Sequence, residues 1–278
     1  MKYTLVAALS ALAFGPASAA VYGGCKFDTK TLKFSGTTEQ ITICLLKKVR
    51  PKGGGADIQP IPAWLTAHVG QPVSLTTLQM NQYLRLKGVN SSDLGETGEK
   101  GSASDRQYFV IHDTSSPELS GVAEFPGDID SPNYFGNKLG GWPSLTGIVN
   151  MIISRDGRSR TIVPWADPRT GPAVKIERQN IAPQSKRIFV HVENIQPRIK
   201  PPGSWGWKAP TPGFSAAQEE RLALAYVAGS LSTGRWLIPA YHFNIDQGIP
   251  DGHDDPQNAD LSKWVERIQA IEKEISAL

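Results

Sequence analysis

The chain has 278 residues, 40% of them hydrophobic and 20% charged, which is enough apolar material for a real core and excludes a disordered or collagen-like polymer. A formal net charge of +3 is too small to make nucleic-acid binding the default expectation. The sequence pI of about 8.8 tolerates an anionic polymer as partner without selecting one. One large domain, or one domain with a small extension, is the expected plan.

Residues 1–19 read as a secretory signal peptide: Lys2, a mostly apolar run from Leu5 to Phe14, then Pro16 and Ala17-Ser18-Ala19 as a cleavage site. No later stretch approaches the ~20 apolar residues of a transmembrane helix, so an exported protein, periplasmic or secreted, is expected. The chain holds two cysteines, Cys25 and Cys44. Export places them where disulfides persist, and a mutual bond is expected. Acylation of Cys25 is the alternative, but the apolar run ends well upstream of it. A two-cysteine zinc site is disfavoured by the absence of a CxxC spacing.

Residues 20–103 read as an N-terminal accessory region. A helix is expected from Ile41 to Val49, although Ile41-Thr42-Ile43 also suits a strand, and Pro51-Lys52-Gly53-Gly54-Gly55 should break it. The apolar spacing of Leu75, Leu78, Met80, Tyr83 and Leu84 predicts a second helix over 74–86. From Asn90 to Asp105 the chain is rich in Ser, Gly, Asp and Glu, which suits an exposed linker and sets the boundary of a 104–278 domain.

Beyond it, Tyr108-Phe109-Val110-Ile111 predicts a buried strand ending in His112-Asp113-Thr114-Ser115-Ser116-Pro117. The runs 148–153 and 161–165 flank Arg155-Asp156-Gly157-Arg158, a hairpin signal. In the expected strand 188–193, alternation puts Phe189, His191 and Glu193 on one face and Ile188, Val190 and Val192 on the other. Residues 201–212, with four prolines and two tryptophans, predict an irregular loop. Ser215 and Gln218 form a capping-box pattern opening a helix to about Ser230. Trp236-Leu237-Ile238 predicts a last strand, leading into Pro239-Ala240-Tyr241-His242. These elements make an α/β fold with a mixed central β-sheet flanked by helices, and the 21–103 region is expected to pack on or beside it.

Of the histidines His68, His112, His191, His242 and His253, both His112 and His242 follow apolar runs, and Asp251-Gly252-His253-Asp254-Asp255-Pro256 offers a third ligand. Two imidazoles and a carboxylate with one open position suit a hydrolytic zinc, assembled from separated segments because no HExxH motif occurs. Serine catalysis is disfavoured: there is no GxSxG elbow, and Ser115 and Ser116 lack an identifiable oxyanion loop.

Over roughly residues 105–260 the chain resembles the zinc-dependent N-acetylmuramoyl-L-alanine amidases of the type-2 class, which share a fold with peptidoglycan recognition proteins. Phe109-Val110-Ile111-His112-Asp113-Thr114-Ser115 is similar to the strand delivering the first zinc histidine, and Ile152-Ile153-Ser154-Arg155-Asp156-Gly157 to the following hairpin. Phe189-Val190-His191-Val192-Glu193 is similar to the strand of the catalytic glutamate, Ile238-Pro239-Ala240-Tyr241-His242 to that of the second histidine, and Asp255-Pro256 to the third ligand.

The resemblance implies zinc on His112, His242 and Asp255, Glu193 as general base, and peptidoglycan or a muropeptide as substrate, cut between N-acetylmuramic acid and L-alanine. Without it, Glu193 reads as a strand glutamate in a salt bridge. Three departures stand out. His253 occupies the position of a lysine that polarises the substrate carbonyl, and could donate to the oxyanion or ligate the metal itself, leaving the roles of His253, Asp254 and Asp255 open. Residues 171–178 replace a tryptophan-histidine-alanine-glycine stretch, and Gln257 replaces a glycine. A non-catalytic wall-binding module of the same fold and a zinc peptidase acting on another amide are the competing expectations.

Overall fold

In a computed structural model, the described residues are 21–50 and 54–278; the expected leader and Pro51-Lys52-Gly53 lie outside them. The chain opens with three short antiparallel strands, β1 (Val21–Tyr22), β2 (Phe27–Asp28) and β3 (Lys33–Phe34). Helix α1 (Thr38–Leu45) follows. It begins where Thr37 and Gln40 cap each other's backbone, and it ends four residues before the expected Val49. Lys48–Val49 instead forms β4, paired with β5 (Ala56–Asp57). The Cys25–Cys44 disulfide is present and ties the first turn to α1.

Next come α2 (Ala63–His68) and α3 (Thr77–Leu86). The second begins three residues later than expected because Thr76 and Gln79 make a second reciprocal cap. Residues 90–105 are not a free linker: Leu94 and Ala103 are buried, and Trp165 donates its backbone N–H to Gly95. A Cβ on Gly95 would sit 2.0 Å from the Trp165 ring at a φ of +74°, so only glycine permits this approach.

The central sheet is built from β6 (Tyr108–Asp113), β8 (Met151–Ile153), β9 (Ser159–Thr161), β10 (Phe189–Asn194) and β12 (Ile238–Tyr241), in the order β12-β6-β10-β8-β9. All neighbours are parallel except the β8–β9 hairpin. Between these lie a small parallel pair, β7 (Glu118–Ser120) with β11 (Arg198–Lys200), and α4 (Ala216–Thr233). Then α5 (His242–Asp246) continues directly from β12, and α6 (Leu261–Ser276) closes the chain.

Several boundaries differ from the sequence expectation for identifiable reasons. The second arm of the hairpin is 159–161 rather than 161–165, because Ile162 and Val163 turn to donate to the Asn150 carbonyl. The last strand starts at Ile238, with Pro239 tolerated because β12 is an edge strand. Ser215 caps α4, but Gln218 does not reciprocate: its amide reaches the Ile153 and Ile195 carbonyls instead. That helix runs on to Thr233, stopped by left-handed Gly234. Helix α6, unassigned above, buries Leu261, Trp264, Val265, Ile268, Ile271 and Ile275 at helical spacing.

Two hydrophobic clusters sandwich the sheet. On one side Phe109, Ile111, Val190, Val192, Met151 and Ile153 pack against α4, α6 and also Met80, Tyr83 and Leu84 of α3. On the other, Tyr108, Val110, Phe189 and Ala240 pack against Phe27, Phe34, Ile41 and Leu45. Ile188 belongs to this second side with Phe189 rather than with Val190, because it precedes the strand in a helical backbone conformation. Residues before and after position 104 thus fill the same two clusters.

Candidate metal centre

Strand alternation decides which side chains meet. On β6, Tyr108 and Val110 face the second cluster, so His112 faces that way too. In the parallel register Glu193 lies beside His112, His191 beside Val110 and Phe189 beside Tyr108. On the other flank Ala240 pairs with Val110. His242, two residues on, therefore emerges on the same face at the level of His112. All three groups sit at the carboxyl ends of parallel strands, where open α/β sheets form their crevices.

Asp255 arrives from the loop before α6 and is anchored by the Asp113 backbone N–H, which donates to its Oδ2 at 3.1 Å. His112 Nδ1 and His242 Nδ1 lie 3.0 Å apart. Asp255 Oδ1 and Oδ2 are 3.0 and 3.2 Å from His242 Nδ1, and Oδ2 is 3.7 Å from His112 Nδ1. Glu193 Oε1 is 3.8 Å from His112 Nδ1. Among the described residues, His112, His242 and Asp255 form the group whose donor atoms converge closely enough to hold a metal ion, and all three are buried. Tetrahedral zinc with bonds of about 2.0–2.1 Å sets its donor atoms roughly 3.3 Å apart, in the middle of these separations. Glu193 Oε2 is buried without a hydrogen-bond partner, an orphan acceptor that a cation with its water would satisfy. The donor set therefore fits zinc.

Behind each imidazole stands an orienting group. His242 Nε2 is 2.9 Å from Asp246 Oδ2, one helical turn on. His112 Nε2 is 2.8 Å from His191 Nδ1, and His191 Nε2 is 3.1 Å from Glu177 Oε1. Glu177 is in turn paired with Arg169 inside the core. Such partners determine which ring nitrogen carries the proton and so which is free to ligate.

The charges follow from burial and neighbours. Burial, then the neighbouring His242 and His191, push the His112 imidazole well down. Burial opposes charge on His242 as well, but Asp255 and Asp246 outweigh it and raise that group. Glu193 is pushed up to about 8, by burial first and then by Asp255. Asp113 is raised to about 6 by burial, against the Arg198 guanidinium that donates to both its oxygens at 2.7 and 2.8 Å.

The other sequence candidates separate clearly. His253 is 61% exposed at the rim, its ring 4.9 Å from that of His242 and its Nδ1 3.9 Å from Asp255 Oδ1, outside the converging group. Asp254 turns to accept from Gln257 Nε2. Ser115 Oγ is engaged by Asp113, and His68 stacks on Trp64. The strand face shared by Phe189, His191 and Glu193 is turned inward: His191 is wholly buried, and the Glu193 side chain is only 13% exposed. Sequence reasoning missed Asp246, whose i+4 spacing from His242 was a usable signal, and Glu177 and Arg169, for which no local signal existed.

No protein-family model matches the chain, and no curated protein matches it. A crystal structure of a selenomethionine AmpD derivative is similar at 18% identity, covering 62% of this chain and 87% of that chain, with a TM-score of 0.36. A likeness at that level assigns neither residues nor reaction.

Proposed function

We propose that the protein is an exported zinc hydrolase that cleaves the amide between N-acetylmuramic acid and L-alanine in peptidoglycan. The observation that carries this reading is the convergence of His112, His242 and Asp255 beside Glu193, whose Oε2 has no hydrogen-bond partner, at the carboxyl edge of the sheet. His112 and His242 would hold zinc through Nδ1 and Asp255 through a carboxylate oxygen. When bound, zinc supplies Lewis acidity towards water and towards a carbonyl oxygen.

The remaining work falls to side chains of this chain. The Glu193 carboxyl, 3.8 Å from His112 Nδ1 and with Oε2 free of hydrogen-bond partners, can take a proton at Oε from the attacking water and pass it to the departing amine. His191 and Asp246 accept the Nε2 protons of His112 and His242, leaving Nδ1 of each ring free for the metal. His253, at the rim with its ring 4.9 Å from that of His242, offers a ring N–H to the substrate oxyanion. The disulfide and the expected leader support export, and among the described residues no helix is long and apolar enough to cross a membrane. We keep the division into residues 20–103 and 104–278 as a proposal about chain organisation.

Incubating the mature protein with purified peptidoglycan should release new N-terminal alanine, and chelation should abolish the release. Absence of release under every metal condition would refute the reading. Tight stoichiometric zinc without release would favour a peptidase on another amide; wall binding without zinc would favour the recognition module.

A further inference from the structure

Loop 201–207 carries two tryptophans, one fully exposed and one half-buried, into the lining of a cleft that also contains Asp254. Its base is fastened where Ile199 and Lys208 exchange both backbone hydrogen bonds, at 3.0 and 2.8 Å. Its tip is turned by Pro201 and Pro202, with Ser204 donating back to the Pro201 carbonyl at 3.0 Å. Trp205 at that tip is 99% exposed. A tryptophan held wholly in water forgoes the hydrophobic gain of burial, and a fastened loop that keeps it there is presenting it.

Trp205 and the half-buried Trp207 form one wall of a cleft of about 310 Å³, whose other walls carry Ser115, Glu118, Arg198 and Asp254. The cleft is tied to the metal centre through its lining: Asp254 precedes Asp255 in the chain, and Ser115 and Arg198 both bond Asp113, whose backbone N–H holds Asp255.

Its charge selects among ligands. Arg198 is already neutralised by the Asp113 carboxylate. Glu118 is exposed and appears in none of the ion pairs among the described residues, and Asp254 adds a second carboxylate. A negative cleft repels a peptide bearing free carboxylates and accepts neutral hydroxyl and acetamido groups. Flat, electron-rich indole faces complement the weakly positive C–H faces of a pyranose ring, and an aromatic wall with a few convergent polar groups is the usual make-up of a small-molecule site.

Resting on the amidase reading above, we propose that this cleft is the saccharide subsite, with the sugar beside the scissile amide stacked on Trp205 and Trp207 and its hydroxyls met by Glu118 and Asp254. The stem peptide then leaves the metal centre in another direction.

Calorimetric titration of the mature full-length protein tests this with two probes: a tetrasaccharide of N-acetylglucosamine and the free dipeptide L-alanyl-D-isoglutamine. The tetrasaccharide should bind saturably, Trp205→Ala should weaken it at least tenfold, and Trp205→Phe, which keeps an aromatic face, should recover most of the loss. Because Trp205 touches water on nearly every side, neither change threatens folding. No saccharide binding by the wild type, or equal binding by Trp205→Ala, would overturn the proposal. Alanine release from peptidoglycan is scored separately. A protein that binds the tetrasaccharide through Trp205 but releases no alanine refutes the amidase reading and leaves the saccharide cleft standing. One that releases alanine with an unchanged KM in Trp205→Ala refutes the cleft alone.

Discussion

In the proposed reaction Glu193 is the base, a carboxyl group that has no hydrogen-bond partner for Oε2 and lies 3.8 Å from His112. Glu193→Gln preserves its shape and leaves the three converging residues in place while removing its basicity. Turnover should fall by roughly two to four orders of magnitude, with zinc content, measured by metal analysis, close to wild type. Loss of zinc from this variant would make Glu193 a ligand, and full activity would return it to a structural role. A second carboxyl group, Glu219 in the first turn of α4, is buried and raised to about 7 by that burial and by Asp260. A raised carboxyl binds its proton more tightly in the folded state, so its stabilisation is present at low pH and is lost as pH climbs from about 4.5 to 7. Glu219→Gln should therefore raise stability by on the order of 1 kcal/mol at pH 8 and change it little at pH 4. Denaturant midpoints at the two pH values check this, and an equal effect at both would sink it.

Among the elements, α5 is short but decisive, because it begins at His242 and brings Asp246 under the same ring. Asp246 Oδ1 also accepts from the Lys175 backbone N–H at 2.8 Å. In Asp246→Asn the carbonyl oxygen can keep that bond while the amide presents N–H to His242 Nε2. The imidazole must then carry its proton on Nδ1, the nitrogen assigned to the metal. Zinc affinity should drop about 10–100-fold; an unchanged dissociation constant in a competition titration would remove Asp246 from the site. The disulfide acts on another element, joining the strand β2 region to α1. Quantitative alkylation of denatured, non-reduced protein should find no free thiol. The Cys25→Ser/Cys44→Ser double variant should lose about 3 kcal/mol in the loop-entropy account, read as a lower denaturant midpoint.

Taken whole, the molecule does not set its N-terminal third aside as an appendage. Phe27 and Phe34 meet edge to face with ring centroids 5.0 Å apart, and the Phe34 ring lies 5.2 Å from that of Tyr108 and 6.5 Å from that of Phe189, beneath the strands that carry His112 and Glu193. The Asn244 side chain, inside α5, donates to the Leu45 and Lys47 carbonyls at 2.9 and 2.8 Å. Residues 104–278 expressed alone would expose that apolar face, with about 1.5–3 kcal/mol at stake for each large side chain, and would leave Asn244 unpaired. The fragment should lack cooperative unfolding and bind zinc at least tenfold more weakly than the mature chain. A fragment that melts sharply and binds zinc normally would establish 104–278 as an independent domain.

Much of this was legible along the chain. Alternation in 189–193 put His191 and Glu193 on one face with Phe189, and the apolar runs before His112 and His242 marked the strands that deliver them, because side-chain direction in a strand is a local property with period two. The cysteine pairing was equally local in its logic, with only one partner available to each. What tertiary structure alone decided was everything set by meeting across distance. It brought Asp255, rather than His253 or Asp254, in among the two imidazoles, with the Asp113 backbone N–H holding it there. It revealed that His191 is a buried strut between His112 and Glu177. And it showed that 21–103 shares the core of the rest. Periodicity reports which way a side chain points; what it points at depends on strand order and parallel register, and those are fixed by contacts between residues far apart in sequence.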